Sequence, residues 1–583
     1  MRGLLAIYLV FATSICDLTV SQVFDLIIRD TKIIDGTGSI WFRGDIAVSG
    51  GQIAIVGNVP DSASAIQIIQ GNGSYLAPGF IDSHTHDDIS ILESPSHEFK
   101  VVQGVTTIIT GNCGFSNYPE GQLQIVQDHL RTLLGDISEQ HFFHNFTSFK
   151  DTLSTNGIGL NIGSLVGHGP LRLAIVGYDN REATPQEIQE MCNLLETQLV
   201  QGAVGLSLGL VYPPSSYATI NELISLAAIV KKYDRVISAH VRSYEGGLLL
   251  SIEEFLTVLR LSGARGLLSH LQAAGTPYWN TSIPQALELL EKARSEEGID
   301  IAVDMYPYLA GSSTILQLLP PSSMSGGFDE LLRNMQNATY LEYLKNMTEG
   351  GREPGWESKV ALIGYVNIMI GSVVNQNLTE FEGLSIVEGA AVMQITEFEF
   401  LVHIITLDHG MTNVIMFQQH QPDNYLVFQS RLQMIGSDSI PRSGGGKPHP
   451  RGFGTFPRVL GRYAKQDGVM SLEEAVRKSS SATASRFGIH DRGVLRVGMK
   501  ADLVLFSEEI LDHATFEEPT LAPSGIQGVW VNGIRVVDQD GGLIGENVLP
   551  GEVVTIQDQW SVYQDFILKF QSFLLQTFPS MTQ

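Results

Sequence analysis

Pro78-Gly79-Phe80-Ile81-Asp82-Ser83-His84-Thr85-His86-Asp87-Asp88 is a short apolar run that leads directly into two histidines. In extended backbone, residues two apart point to one side, so the imidazoles of His84 and His86 face the same way where that strand ends. The pattern of an apolar run closed by small or polar residues recurs along the chain. Such runs end near Ser83, Gly111, Val166, Leu208, Ala239, Ser269, Asp304 and Gly436. Helix candidates lie between most of them, including Pro185–Leu199, Ile220–Tyr233 and Ile252–Leu261. Eight alternating units predict a (β/α)8 barrel of TIM type, an α/β fold whose functional site lies at the C-terminal ends of the strands.

Residues able to bind metal stand where that reading puts the barrel mouth. Cys113 follows the second strand, His240 ends the fifth, His270 the sixth and Asp438 the eighth. Each alone has a plain explanation. A lone strand-end histidine is usually a hydrogen-bonded core residue, HxH is a weak signal, and an isolated cysteine is a small buried hydrophobe. Together, four imidazoles, one thiolate and one carboxylate at the strand ends of one barrel form a donor set suited to zinc, which accepts N, S and O ligands.

Outward from the barrel, both ends of the chain read as β structure. Phe24–Ile28 and Asp45–Val48 match Ala501–Phe506 and Gly528–Gly533 in texture, with turn signals between them. Segments 23–77 and 490–555 are therefore expected to form one composite β-sandwich domain beside a barrel spanning 78–489. The interval from about 310 to 431 is too long for a loop and predicts an inserted subdomain between barrel strands 7 and 8. Residues 1–22 carry Arg2 and then an apolar run from Leu4 to Ile15, the pattern of a signal peptide; the run is shorter than a membrane span. Six N-x-[ST] sequons, at Asn72, Asn145, Asn280, Asn337, Asn346 and Asn377, lean the same way. The expectation is a secreted or secretory-lumen glycoprotein without a transmembrane span. In the tail, 556–583, Trp560, Tyr563, Ile567, Phe570 and Leu574 fall at amphipathic helical spacing.

Composition narrows the partners. The chain has 583 residues and a formal charge of −26, which excludes a nucleic-acid partner dependent on clustered Lys and Arg. Three cysteines, one of them in the leader, cannot staple a chain this long. Oligomeric state leaves no mark in the residues.

The chain resembles the amidohydrolase superfamily and, within it, the N-acyl-D-amino-acid deacylase (D-aminoacylase) family. The resemblance runs from Asp25 to the region of Pro550. It is carried by the 78–88 segment, Gly111-Asn112-Cys113-Gly114-Phe115-Ser116, Val166-Gly167-His168-Gly169 with Arg172, and Gly205–Pro213. Asp304-Met305-Tyr306-Pro307-Tyr308, His449–Arg458 and Ala514–Pro519, running on to Gly525, complete it. It implies one tight zinc at Cys113, His240 and His270, and a second, weaker metal at His84 and His86 with Cys113 reaching both. Asp438 is implied as the catalytic general base and acid. The absence of a lysine in Ala203–Leu208, where many superfamily members carry a carboxylated one, is consistent with a cysteine bridge.

The implied reaction is hydrolysis of the amide of a small N-acyl-D-amino acid. Tyr306 and Ser312 match substrate-contacting positions. Where the family commonly has a lysine for the substrate carboxylate, this chain has Gln272, and Arg242 is the expected substitute cation. Two other readings stand beside this one: an amidohydrolase acting on a cyclic amide, imide or dipeptide, and a secreted pseudo-hydrolase with a binding role.

Overall fold

The computed structural model describes residues 23–121, 123–442 and 445–556. The leader at 1–22 and nearly all of the amphipathic tail lie outside the described residues.

Eight parallel strands follow in sequence order around the barrel. They are Phe80–Asp82, Val105–Thr110, Asn161–Gly167, Gly205–Gly209, Val236–His240, Arg265–Leu268, Ile301–Met305 and Gln433–Ile435. Each ends within about one residue of the sequence expectation. Strands 1 and 8 are short and meet through their following residues: the Ser83 N–H donates to Ile435 O (3.1 Å), Asp438 N–H to His84 O (2.7 Å) and His86 N–H to Ser439 O (2.8 Å). These bonds close the mouth on the side that carries His84, His86 and Asp438.

The barrel interior is filled rather than hollow. Ile81, Ile109, Leu165, Val204, Val236, Leu267, Ala302 and Met434, one from each strand except Val204, which immediately precedes strand 4, form a buried layer with Phe487, Ile489 and Val554. Such layered apolar packing leaves only the C-terminal mouth for chemistry. Val554 belongs to a final stretch that runs beneath the barrel, where Ile162 N–H donates to Glu552 O at 3.0 Å.

Helices Pro185–Val200 and Ile220–Lys232 match their expected spans. The first starts at a capping box between Thr184 and Glu187. The third helix begins at Leu248, four residues before the expected Ile252. Its break comes from Gly246 and Gly247, and apolar Leu248 to Leu250 join the helix although only Leu248 among them is buried.

Strands from both chain ends share one eight-stranded sheet. Tyr75–Pro78 pairs antiparallel with Leu503–Leu511 and parallel with the end of Val23–Ile33, whose first half pairs with Ser64–Gln70. The interval between strands 7 and 8 is an inserted subdomain. It holds a three-stranded antiparallel sheet (Ala310–Thr314, Asn413–Phe417, Ile368–Ser372) and its own core around Ile315, Leu331, Ile370, Phe400, Leu401 and Ile404. Its residues Gly311 to Ser313, Gln317, Lys359, Met416 and Gln418 form one wall of the pocket above the barrel mouth.

Candidate functional site

At the mouth, His84, Cys113, His270 and Asp438 each bring one ligand-type atom within 4.8 Å of the others. Cys113 Sγ lies 3.3 Å from His84 Nε2 and 3.6 Å from His270 Nε2. Asp438 Oδ1 lies 3.4 Å from His84 Nε2 and 3.3 Å from His86 Nε2. His240 packs its ring 4.6 Å from that of His270, and neither of its buried ring nitrogens has a hydrogen bond of ordinary length, the Cys113 thiol being its polar neighbour. An imidazole buried with both nitrogens unsatisfied is costly unless it ligates something. The five metal-site residues named from sequence and Asp438 therefore converge on one place.

The backbone aims these groups at some cost. Cys113, His270 and Asp438 adopt left-handed φ values of +51°, +32° and +52°, a region that non-glycine residues hold only when the surroundings enforce it. For Cys113 the enforcement comes from strand 4. Ser207 Oγ donates to Gly111 O and accepts from the Gly114 N–H at 3.0 Å, pinning the loop from both sides of the cysteine. A Cβ on Gly209 would stand 1.9 Å from Cys113 O, so this close approach requires glycine. Asp304, ending strand 7, meets His84 Nδ1 at 3.2 Å through one oxygen and accepts the His270 N–H at 2.8 Å through the other. It thereby orients two imidazoles at once, the usual task of a carboxylate behind ligating histidines.

A buried polar layer holds the His84–His86 strand end. Asp82 accepts from Lys100 Nζ (2.6 Å) and the Ser437 N–H (2.8 Å), while Asp87 meets His97 Nε2 (3.0 Å) and accepts from Thr85 Oγ1 (2.6 Å). Both aspartates belong to the opening segment of the sequence, but their role depends on partners remote from them in the chain.

Electrostatically the site is a set of opposite charges on buried side chains. Burial opposes the Cys113 thiolate, but the imidazoles of His84, His240 and His270 outweigh it and hold the thiol well below its ordinary value. Burial also opposes charge on His86, yet Asp438 and Cys113 raise it to about 9. His240 goes the other way: burial, with His270 close by, lowers it to about 4 and keeps it neutral, the form a ligand requires. By contrast Cys192 is buried in helix Pro185–Val200, away from the site, and burial pushes its thiol up to about 11.

The substrate-side residues divide. Gln272 and Tyr306 come together: Gln272 Oε1 accepts from Gln419 Nε2 at 2.5 Å, and the same Nε2 donates to Tyr306 Oη at 2.8 Å. Ser312 lines the same pocket and donates to Asn413 Oδ1 at 2.6 Å. Arg242 does not join them. Its Nε donates to both oxygens of Glu254 (2.9 and 2.8 Å), and its terminal nitrogens donate to Ser216 O and Ala218 O (2.6 and 2.5 Å). All three guanidinium nitrogens are engaged and the residue does not line the pocket, so the expectation that it meets substrate is corrected. His168, with Ser215 Oγ and Glu222 Oε1 each at 2.9 Å, is likewise buried behind the mouth and lines no part of this pocket.

Several pocket residues carry no strand-end signature. Arg451, the first residue of the helix Arg451–Arg458 after strand 8, lies 2.9 Å from Asp438 and over the Tyr306 ring. Tyr244 packs against both His240 and His270. Lys359 comes from the insertion, as does Gln419, which does not line the pocket but bonds to Gln272 and Tyr306, which do. A neighbouring cavity shares Tyr212 and Gln317 with the pocket and is otherwise mostly apolar, lined by Phe115, Val211, Leu316, Leu319, Met324 and Trp356.

A filled (β/α)8 barrel with a His/Cys/Asp cluster at its mouth and a sheet built from both chain ends defines an amidohydrolase, an enzyme that hydrolyses carbon–nitrogen bonds. The amidohydrolase family model matches residues 426–537. The chain is 32% identical to a D-aminoacylase of Alcaligenes xylosoxydans xylosoxydans, over 88% of this chain and 95% of that one. It is 31% identical to an N-acyl-D-glutamate deacylase of the same organism, over 89% and 94%. It also resembles the crystal structure of an N-acyl-D-glutamate deacylase from Bordetella bronchiseptica, complexed with zinc and a phosphonate inhibitor that mimics the tetrahedral intermediate. There the TM-score is 0.77 at 30% identity, covering 92% of this chain and all of that one. The chain belongs to the D-aminoacylase family of amidohydrolases.

Proposed function

We propose that this protein is a zinc-dependent deacylase of N-acyl-D-amino acids, releasing a carboxylate and a free D-amino acid. The observation that carries the proposal is the convergence of Cys113, His84, His270 and Asp438 within 4.8 Å at the barrel mouth, beside the buried His240. Cys113, His240 and His270 would hold the tight zinc, and His84 and His86 a weaker second one. When bound, zinc supplies Lewis acidity that polarises an amide carbonyl and makes water acidic enough to deprotonate near neutral pH.

The protein's own groups do the rest. Asp438, ionised and facing His84 and His86, takes a proton from the attacking water and delivers it to the leaving nitrogen. Tyr306, Gln272 and Ser312 present hydroxyl and amide groups to the polar end of the substrate. The apolar cavity beyond Tyr212 receives an apolar substituent, because its aromatic and aliphatic walls gain by shedding water against one. The wall contributed by the insertion limits solvent at the reacting amide.

Passage through the secretory route is part of the proposal. Five of the sequon asparagines are exposed and Asn145 is half-buried, so most are placed where a glycan is tolerated.

The test is a panel of substrates given to zinc-loaded protein: N-acetyl-D-amino acids, D-dipeptides, and five- and six-membered cyclic ureides. Release of free amine chiefly from the N-acetyl-D-amino acids is expected. Faster ring opening of a ureide would transfer the protein to the cyclic-amide class, and no turnover on any of them would favour a binding role.

A further inference from the structure

Gln272 leaves the barrel wall of the pocket neutral at the position where the resemblance implies a lysine. The pocket is nonetheless not without lysine. Among its described lining residues the arginine and the lysine are Arg451 and Lys359; burial pushes the Lys359 ammonium down to about 7, and the Glu245 carboxylate in contact with it favours the charged form. Arg451 is engaged by Asp438 and by the face of Tyr306. Lys359 comes from the insertion, as the first residue of its short helix Lys359–Ile363, directly after its cap Ser358.

Its side chain is only 6% exposed, and the partner of its ammonium is Glu245, whose side chain is 3% exposed. Lysines are almost never buried this deeply unless paired. A buried ion pair is a poor device for stability alone, because apolar residues of similar size would hold two surfaces together at least as well. Glu245 lies in the loop after strand 5 and does not line the pocket. One of its oxygens accepts from Ser243 Oγ (2.8 Å) and the Tyr244 N–H (3.2 Å), and the other meets Lys359. The carboxylate thus anchors the lysine from outside the pocket that the lysine lines. An ammonium has three donors, and one carboxylate oxygen occupies one of them.

We propose that Lys359 supplies the positive charge that receives the free carboxylate of the substrate, replacing from the insertion the cation that position 272 lacks on the barrel. This assignment rests on the N-acyl-amino-acid reading above. It makes the insertion both the cover of the pocket and the reader of substrate charge, and it restricts the substrate class to N-acyl amino acids with an unblocked acid group.

The test compares an N-acetyl-D-amino acid with its primary carboxamide, using zinc-loaded full-length protein. The variants are Lys359→Met, Lys359→Gln as a second neutral replacement, and Lys359→Met combined with Gln272→Lys. Zinc content is measured for each. A charge-assisted hydrogen bond to the acid predicts a fall in kcat/KM of about tenfold to a hundredfold for the free acid, mostly in KM. The loss on the carboxamide should be at least about tenfold smaller, and Gln272→Lys should restore most of the activity on the acid by returning a cation to the same pocket. Unchanged kinetics in both neutral variants overturn the assignment. So does an equal loss on acid and carboxamide that Gln272→Lys fails to restore, since that is the signature of a merely structural tie. Wild-type protein inactive on every N-acyl-D-amino acid overturns the parent reading and this assignment with it; an active wild type with indifferent Lys359 variants overturns this assignment alone.

Discussion

Arg451 holds Asp438 at 2.9 Å while its guanidinium lies over the ring of Tyr306 at 4.6 Å. Burial alone would push the Asp438 carboxyl upward and cost it its charge. Arg451, followed by His84 and His86, reverses this and holds the carboxyl well below the usual carboxylate range. The candidate base is therefore ionised throughout the neutral range, and the same arginine links it to the tyrosine of the substrate pocket.

Asp438→Asn keeps the shape and the hydrogen bonding but removes the base. Turnover should fall by about 10²- to 10⁴-fold, the usual contribution of a general acid–base group. Zinc content should stay at the wild-type value, because Cys113, His240 and His270 remain. Kinetics alongside metal analysis check this; a loss below about tenfold would place the proton on another residue.

Cys113→Ala should remove the tight metal together with activity, since the thiolate stands between His84 and His270. Metal content after dialysis reads the outcome directly. Full retention of zinc would move the ligand set away from the cysteine.

Gly209→Ala changes no ligand, yet its Cβ would stand 1.9 Å from Cys113 O. The Cys113 loop must move or the strand must yield, at a cost of about 1–3 kcal/mol for overpacking. Weakened zinc retention with little change in the rest of the fold is the expected outcome, followed by metal titration and thermal unfolding. Normal zinc affinity would show that the loop tolerates the displacement.

Asp87→Asn tests the buried layer behind the histidines. Burial opposes the Asp87 carboxylate, but Lys100, His97 and Thr85 outweigh it and lower its pKa below the ordinary value. Removing one partner of a buried charge cluster typically costs about 3–5 kcal/mol. A carboxyl with a depressed folded pKa contributes stability that is present above its unfolded value, near 4, and is lost as pH falls through the folded one. The stability gap between wild type and variant should thus be full at pH 7 and narrow below about pH 4 in denaturant titrations. A gap that widens in acid would contradict this.

The barrel and its mouth were legible in the sequence because each strand is a compact apolar run with a marker at its end. His84, His86, Cys113, His240, His270 and Asp438 all sit within a few residues of a strand terminus, so local pattern and global position coincide. Arg451, Lys359 and Gln419 lacked that advantage. Arg451 comes from the helix after strand 8, and Lys359 and Gln419 from the insertion, so the placement of the last two depends on how that insertion folds over the mouth. Arg242 failed for the complementary reason. Its proximity to His240 in sequence suggested the pocket, but Glu254 and two backbone carbonyls draw its guanidinium away. Ser207 illustrates the middle ground: the absence of lysine from strand 4 could be seen, whereas the hydroxyl's grip on the Cys113 loop required the neighbouring strand in place.

The most direct test of the assigned chemistry is the initial rate of zinc-loaded protein on matched D- and L-enantiomers of an apolar N-acetyl amino acid, measured as release of free amino acid and repeated after chelation. Hydrolysis of the D-enantiomer alone, abolished by the chelator and restored by zinc, is the expected result. Hydrolysis of both enantiomers at equal rates, or activity indifferent to the chelator, would contradict it.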